Sequence, residues 1–308
     1  MPWLALLIPI AAWGLSFPSI KAALTEFPPM TLAFGRFVLA AGFLTVVSLV
    51  KKQKMFIAPK DRGSLILSVA TGITLYFLCE NNGVKLISAS AASLIIAGIP
   101  ILTLLADRLV SRTRLGKWGV GASLVSLGGA ALLVGTPSAS AANPWGYALM
   151  AGAAGAWVLY LFTMKPLQST YPNLTLTTWQ MILGAISFAP FAWAEHTQWS
   201  WPSAVGWGNL AFQGVVCSAV SYLLYNYALD KLGMRTASLA VNLIPVVTAV
   251  ASYFLLGELL GVWQWLGGVL VLGAVVAVGL NAGSEGKPEP SSPSPLPDSE
   301  PRSDRRGE

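Results

Sequence analysis

Charged residues make up only 10% of this 308-residue chain, and 55% of it is apolar. An ordinary soluble domain holds roughly 25% charged and 45 to 50% apolar residues. The shortage excludes most water-soluble folds, because a globule of 32.5 kDa must still cover its outside with polar groups. Histidine occurs once, as His196 beside Glu195, which excludes an HExxH site and leaves a metal without a second imidazole. The two cysteines, Cys79 and Cys217, both fall inside apolar runs, so neither a disulfide framework nor a CxxC site is suggested; they read as small buried hydrophobes. The sequence also lacks G-x-x-x-x-G-K-[ST], G-x-S-x-G and an intramembrane GxGD aspartate. Nucleotide hydrolysis and the familiar enzyme chemistries are therefore not expected, and no cofactor or metal is implied.

What is present is apolar length. Runs long enough to cross a bilayer fall at about 2–22, 29–50, 63–84, 88–106, 116–135, 145–164, 174–194, 203–228, 235–256 and 262–281. Lipid offers no partner for unpaired backbone groups, so these runs are expected to be helices. The fold class expected is an all-α membrane protein with ten transmembrane helices. The first run lacks the basic flank and small-residue cleavage site of a signal peptide and is expected to stay as the first span.

The bases are distributed unequally between alternate loops. One side collects Lys51, Lys52, Lys54, Lys60 and Arg62, then Arg108, Arg112, Arg114 and Lys117, then Lys165, Lys231, Arg235 and the four bases of the tail. The other side receives only Lys21 and Lys85, which are expected to snorkel to the surface, and Arg36 lies within a run. By the positive-inside rule both termini are cytoplasmic in a multi-pass protein of the cell (inner) membrane. A nucleic-acid binder would instead gather its surplus of +6 on a solvated face among aromatics. From 284 to 308 the chain turns to Pro, Ser and charge, which reads as a disordered cytoplasmic tail.

The chain also repeats itself. Leu115-Gly116-Lys117-Trp118 matches Leu260-Gly261-Val262-Trp263, Ala92-Ser93-Leu94 matches Ala237-Ser238-Leu239 and Pro100 matches Pro245, all 145 positions apart. Tyr76 matches Tyr222 at 146, and Trp13 and Lys21 match Trp157 and Lys165 at 144. Two repeats, 1–137 and 138–283, thus hold five spans each, and an odd number forces them into opposite orientations. Inverted five-helix repeats are an arrangement secondary transporters use to build two gates around one central site.

These features resemble the drug/metabolite transporter superfamily, EamA type. The likeness is carried by Trp13-Gly14 with Pro18 and Lys21, Phe34-Gly35-Arg36-Phe37, Ser88 to Leu94 before Pro100, Ala237-Ser238-Leu239, Pro245, Leu256-Gly257-Glu258 and Trp263 to Gly267, over roughly 3–281. The resemblance implies a ten-span carrier that exports amino acids, nucleosides or other small metabolites. Arg112-Thr113-Arg114 stands where the first half would match Glu258, so no role passes from Glu258 to that place.

Candidate substrate-binding residues follow from the spans. Arg36 and Glu80 lie about 9 to 12 Å from the outer end of their helices at 1.5 Å per residue. Each is costly in lipid unless paired or wetted. Either Arg36 holds a substrate carboxylate and Glu80 a coupling proton, or the two form a buried ion pair that pins two helices. Tyr76 and Glu80, and in the other half Tyr222 and Asn226, stand four residues apart on one helical face and could line a cavity or pack helices together. Trp13 with Phe17, and Trp157 with Tyr160, offer aromatic surfaces at mid-span, again as cavity wall or packing. Trp145, Trp199, Trp201 and Trp207 read as interfacial anchors. Ser238, Asn242 and Pro245 share a face, Ser93 is the counterpart of Ser238, and Pro100 and Pro245 interrupt two spans at matched positions as candidate hinges.

The expected function is a secondary transporter, exporting small metabolites by alternating access around a central cavity. Amino acids or related zwitterions are the first candidates, because Arg36, Glu80, Asn226 and several rings suit a zwitterion with an apolar side chain. The expected partners are that small molecule and the lipid bilayer, no nucleic acid is implied, and the sequence sets no oligomeric state. The alternative of another class is a non-transporting membrane interaction protein.

Overall fold

The computed structural model describes residues 2–87, 89–111, 117–134, 143–256 and 262–285. The expected repeat boundary at 137/138, Ser88, Arg112 to Arg114, Glu258 and the tail beyond Glu285 lie outside those residues.

Among the described residues there is no strand, and each expected apolar run is helical over most of its described length. The first two runs are single helices, α1 (Pro2–Ala23) and α2 (Pro29–Val50). Pro29 starts α2, where a missing N–H costs nothing. The third run is one continuous rod of α3 (Arg62–Val69), a π-helical stretch Ala70–Leu75 and α4 (Tyr76–Leu86). The fourth is broken into α5 (Ala89–Ile96) and α6 (Ile99–Ser111), followed by α7 (Lys117–Val134). The second half repeats the pattern with α8 (Pro144–Gln168) and α9 (Asn173–Ala194), then α10 (Ala204–Ala211), a π-helical stretch Phe212–Val220 and α11 (Ser221–Leu232). It continues with α12 (Met234–Ala240), a 3-10 turn Val241–Leu243, α13 (Ile244–Leu256) and α14 (Val262–Glu285).

Among the described residues, five stretches are long and apolar enough to cross a membrane: Pro2–Ala23, Pro29–Val50, Pro59–Leu86, Pro144–Gln168 and Asn173–Ala194. Val120–Gly129, Thr236–Ala251 and Trp265–Ala274 are shorter apolar helices. The distribution of polarity is inverted relative to a soluble protein. Arg36, Glu80, Asn81, Gln180, Gln213, Asn226 and Asn242 are buried, while Leu49, Val50, Leu109, Val110 and Trp201 stand exposed. In water such a coat would be an aggregating patch; against acyl chains it is the matching surface, and the backbone satisfies itself within helices.

The packing is reciprocal. The most extensive contacts are α2 on α9 and α7 on α14, each helix against its own repeat counterpart. The contact of α4 with α8 is answered by that of α11 with α1. This crossing of helices between halves places α1, α4, α8 and α11 around the centre of the molecule.

Two local features depart from sequence expectation. Lys21 does more than snorkel, because its Nζ donates to the carbonyls of Val84, Lys85 and Ile87 at 2.8, 3.2 and 2.9 Å, capping the C-terminal end of α4 with a positive charge. Pro100 and Pro245 do not kink the interior of a helix. Each is the second residue of its helix, α6 or α13, where proline is tolerated, and the break precedes it at Ala97–Gly98 and at Val241–Leu243.

Candidate functional site

A cavity lies between the central helices. From α1 it receives Trp13, Ser16 and Phe17; from α2, Arg36; from α4, Tyr76, Phe77 and Glu80; from α8, Trp157; and from α11, Tyr222. The two broken helices supply Ile96 and Ile99 on one side and Val241 and Ile244 on the other, which are repeat counterparts 145 positions apart. The ends of the half-helices thus give the cavity an apolar wall.

The aromatic part is a connected cluster. Trp13 packs edge-on to Trp157 at 5.4 Å between centroids and to Tyr222 at 5.9 Å. Trp157 also meets Tyr76 at 5.3 Å and Tyr160 at 5.1 Å. Such edge and tilted pairs fix ring orientation beyond what burial alone gives.

Arg36 and Glu80 make no salt bridge with each other, whereas Lys231 pairs directly with Asp230 at 2.8 Å on the surface. The expected buried pair is replaced by separate holds. Arg36, 2% exposed, donates from Nε to Ser218 Oγ at 2.9 Å and lays its guanidinium over the Phe77 ring at 4.3 Å, while its Nη1 is buried without a partner. Glu80, 4% exposed, accepts from Tyr76 Oη at 2.8 Å through Oε1. A cation and an anion therefore stand on two walls of one aromatic cavity, each with unspent capacity, since a guanidinium has five N–H donors and a carboxylate about four acceptor positions. The arrangement offers a carboxylate-binding point, an ammonium-binding point and apolar surface between.

Both π-helical stretches are pinned by ring donors from the opposite half. Trp13 Nε1 donates to Cys217 O at 2.9 Å, and Tyr222 Oη donates to Gly72 O at 3.0 Å. A π turn displaces the usual i to i+4 ladder and is common at functional sites. Gly72 also lets the Tyr160 ring lie directly against the backbone, where any Cβ would collide with it.

Of the residues selected from sequence, Trp13, Phe17, Arg36, Tyr76, Glu80, Trp157 and Tyr222 come together around the cavity. Four others lie outside its lining. Tyr160 Oη donates to Asn226 Oδ1 at 2.7 Å, and Asn226 Nδ2 turns to Thr177 and Gln180 on α9 at 3.3 and 3.4 Å. Asn242 faces α7 and donates to Ser126 Oγ at 2.6 Å, and Ser93 is 1% exposed on α5. Pro100 and Pro245 stand at the starts of the half-helices. Sequence reasoning missed Phe77, Ser218 and the isoleucines at the breaks. The match of Ile96 and Ile99 with Val241 and Ile244 at 145 positions could have revealed the latter, whereas nothing in the sequence distinguishes Phe77 from other lipid-facing rings.

The chain matches the EamA-like transporter family twice, over residues 1–135 and 144–280. It is 29% identical over 277 residues to an uncharacterised transporter of Archaeoglobus fulgidus, covering 90% of this chain and 98% of that one. It is 24% identical over 279 residues to a probable terminal-alkyne amino-acid exporter of Streptantibioticus cattleyicolor, covering 89% of this chain and 92% of the relative. A solved crystal structure superposes with a TM-score of 0.73 at 17% identity, over 92% of this chain and 98% of that one, a likeness of fold.

Proposed function

The chain belongs to the EamA-like transporter family, and from that premise we propose that it is a secondary exporter of small zwitterions, amino acids first. In this reading ten helices cross the cell membrane with both termini in the cytoplasm, and two inverted five-helix halves rock around the central cavity. Arg36 takes the substrate carboxylate, Glu80 faces its ammonium group, and Trp13, Phe17, Trp157 and Tyr222 enclose an apolar side chain. Tyr160, Asn226, Ser93 and Asn242 serve the same passage as second contacts met during the rocking, and the breaks before Pro100 and Pro245 are its hinges. The energy comes from a gradient.

The observation that carries the reading is the pair of opposite buried charges that share a cavity without neutralising each other. A structural pair would close on itself, since each charge left apart in low dielectric is costly. Charges held apart by Ser218 and Tyr76 are already oriented for a ligand that brings both complements. The direction of export is supported by the relative named as a probable amino-acid exporter.

The test is a thermal-shift screen of the purified protein against amino acids, amines, nucleosides and small acids, followed by counterflow of any hit in liposomes. A ligand at 100 times its Kd stabilises by about 2.7 kcal/mol. Stabilisation by zwitterions that also show counterflow is the expected result. No stabilisation and no flux across the panel overturns it in favour of a membrane interaction protein. Glu80→Gln is expected to abolish the pH dependence of uphill transport, and unchanged pH dependence removes Glu80 from proton coupling.

A further inference from the structure

The two halves of the cavity carry the same donors in different bonds. Trp13 holds the carbonyl of Cys217, in the π stretch of the second half. Its counterpart Trp157, 144 positions on, holds no backbone carbonyl; its buried Nε1 meets the buried Tyr225 hydroxyl instead, and not in a well-formed hydrogen bond. The carbonyl that symmetry would assign to Trp157, at Thr71 in the π stretch of the first half, is the neighbour of the Gly72 carbonyl that Tyr222 holds. Tyr76, the counterpart of Tyr222, holds no π-stretch carbonyl and donates to Glu80 instead. One indole and one phenol thus each hold a π-stretch carbonyl of the opposite half, and the matching indole and phenol do not.

The same asymmetry recurs at an independent place. Thr248 on α13 donates to Gly14 O on α1 at 2.9 Å and to Ile244 O at 3.0 Å. Thr103, its counterpart 145 positions earlier on α6, is 1% exposed and its hydroxyl has no partner. The helix α6 packs on α8, and the residue that answers to Gly14 there is Val158. Leaving a buried donor unsatisfied is costly, so such donors ask for a state in which they are bonded.

We infer that these unpartnered donors mark bonds of the opposite-facing state, and that transport exchanges the hydrogen bonds of the two halves. In that state Trp157 takes the Thr71 carbonyl, Tyr222 leaves Gly72 for Asn226 four residues along its own helix, Tyr76 leaves Glu80 for the π stretch 212–220, and Trp13 is released. Thr248 lets go of Gly14 while Thr103 donates to the Val158 carbonyl. The inference rests on the alternating-access reading and adds to it a functional asymmetry. Tyr76 covers Glu80 now and uncovers it in the other state, so the two states differ in affinity for a cationic group. Such a difference is what a ligand needs in order to shift the equilibrium between them. Trp13, Tyr76, Trp157, Tyr222, Thr103 and Thr248 act as positioning residues of the cycle.

The test is the ratio of labelling rates of a cavity cysteine, Ile99→Cys in a Cys79→Ala, Cys217→Ala background, by a membrane-impermeant thiol reagent applied to right-side-out and inside-out vesicles. Trp157→Phe keeps the ring and removes a bond of the opposite state; Trp13→Phe removes a bond of the present state. The two substitutions are expected to move the ratio in opposite directions, each by about fivefold, the equivalent of one hydrogen bond of about 1 kcal/mol. Thr103→Val and Thr248→Val repeat the comparison with smaller side chains, Thr248→Val moving with Trp13→Phe. Shifts in one common direction, or no shift in either pair, overturn the exchange, because loss of packing alone has no reason to choose opposite signs. Counterflow of zwitterions reads the substrate assignment separately. Opposed shifts without flux keep the exchange and discard the substrate, and flux without opposed shifts does the reverse.

Discussion

Arg36 is held by its stem and side rather than by its tip. The Nε bond to Ser218 and the face of Phe77 fix the plane of the guanidinium, and Nη1 is left buried and unbonded. A buried charge that makes no salt bridge carries a desolvation cost that no direct partner offsets, and its removal relieves that cost. Arg36→Met is therefore expected to keep or raise the melting temperature in detergent while cutting zwitterion counterflow by at least about thirtyfold, which corresponds to the low end, roughly 2 kcal/mol, for a desolvated charge pair. A large drop in melting temperature would return Arg36 to a structural role. The charge itself was legible in the sequence as an arginine inside an apolar run. Its freedom from Glu80 was not, because equal depth in two helices says nothing about the azimuth at which each side chain leaves.

At the scale of elements, the close approach of α1 to the broken ninth run controls the wall that carries Trp13. Gly14 stands against Val247, and a Cβ on it would lie 2.5 Å from Val247 Cβ. Gly14→Ala is expected to cost about 1 to 3 kcal/mol through overpacking and to lower the melting temperature, whereas Gly42→Ala, with open space around it, is expected to leave it unchanged or slightly higher. Equal behaviour of the two would mean that α1 has room to move away. Helix positions were legible because apolar length is a strong and local signal. The π stretches Ala70–Leu75 and Phe212–Val220 were not, since one extra residue per turn leaves no mark on residue type. The paired prolines did point to the broken helices, but the break precedes each proline, because a ring that fits the first turn of a helix needs no kink. The repeated Tyr-x-x-x-(Glu/Asn) pattern promised two equivalent polar spots. The structure separates them, Glu80 into the cavity and Asn226 into a bonded cluster with Tyr160, Thr177 and Gln180, because a repeat in sequence does not require a repeat in bonding.

For the whole molecule, the counterpart pairing of α2 with α9 and α7 with α14 surrounds the central four helices on both sides. The proposed even number of crossings, with the bases gathered on one side, puts both ends of the chain in the cytoplasm by the positive-inside rule. Reporters fused at either end that are active only in the cytoplasm are both expected to be active. An inactive reporter at one end alone would remove one crossing from the count, and inactivity at both would reverse the orientation.

The grip of Lys21 on the last carbonyls of α4 acts on this scale as well. A three-pronged strap welds the C-terminal ends of α1 and α4 into one lever. In the cycle proposed above, Trp13 and Glu80, farther down the two arms, ride together, and the stroke falls to α8 and α11.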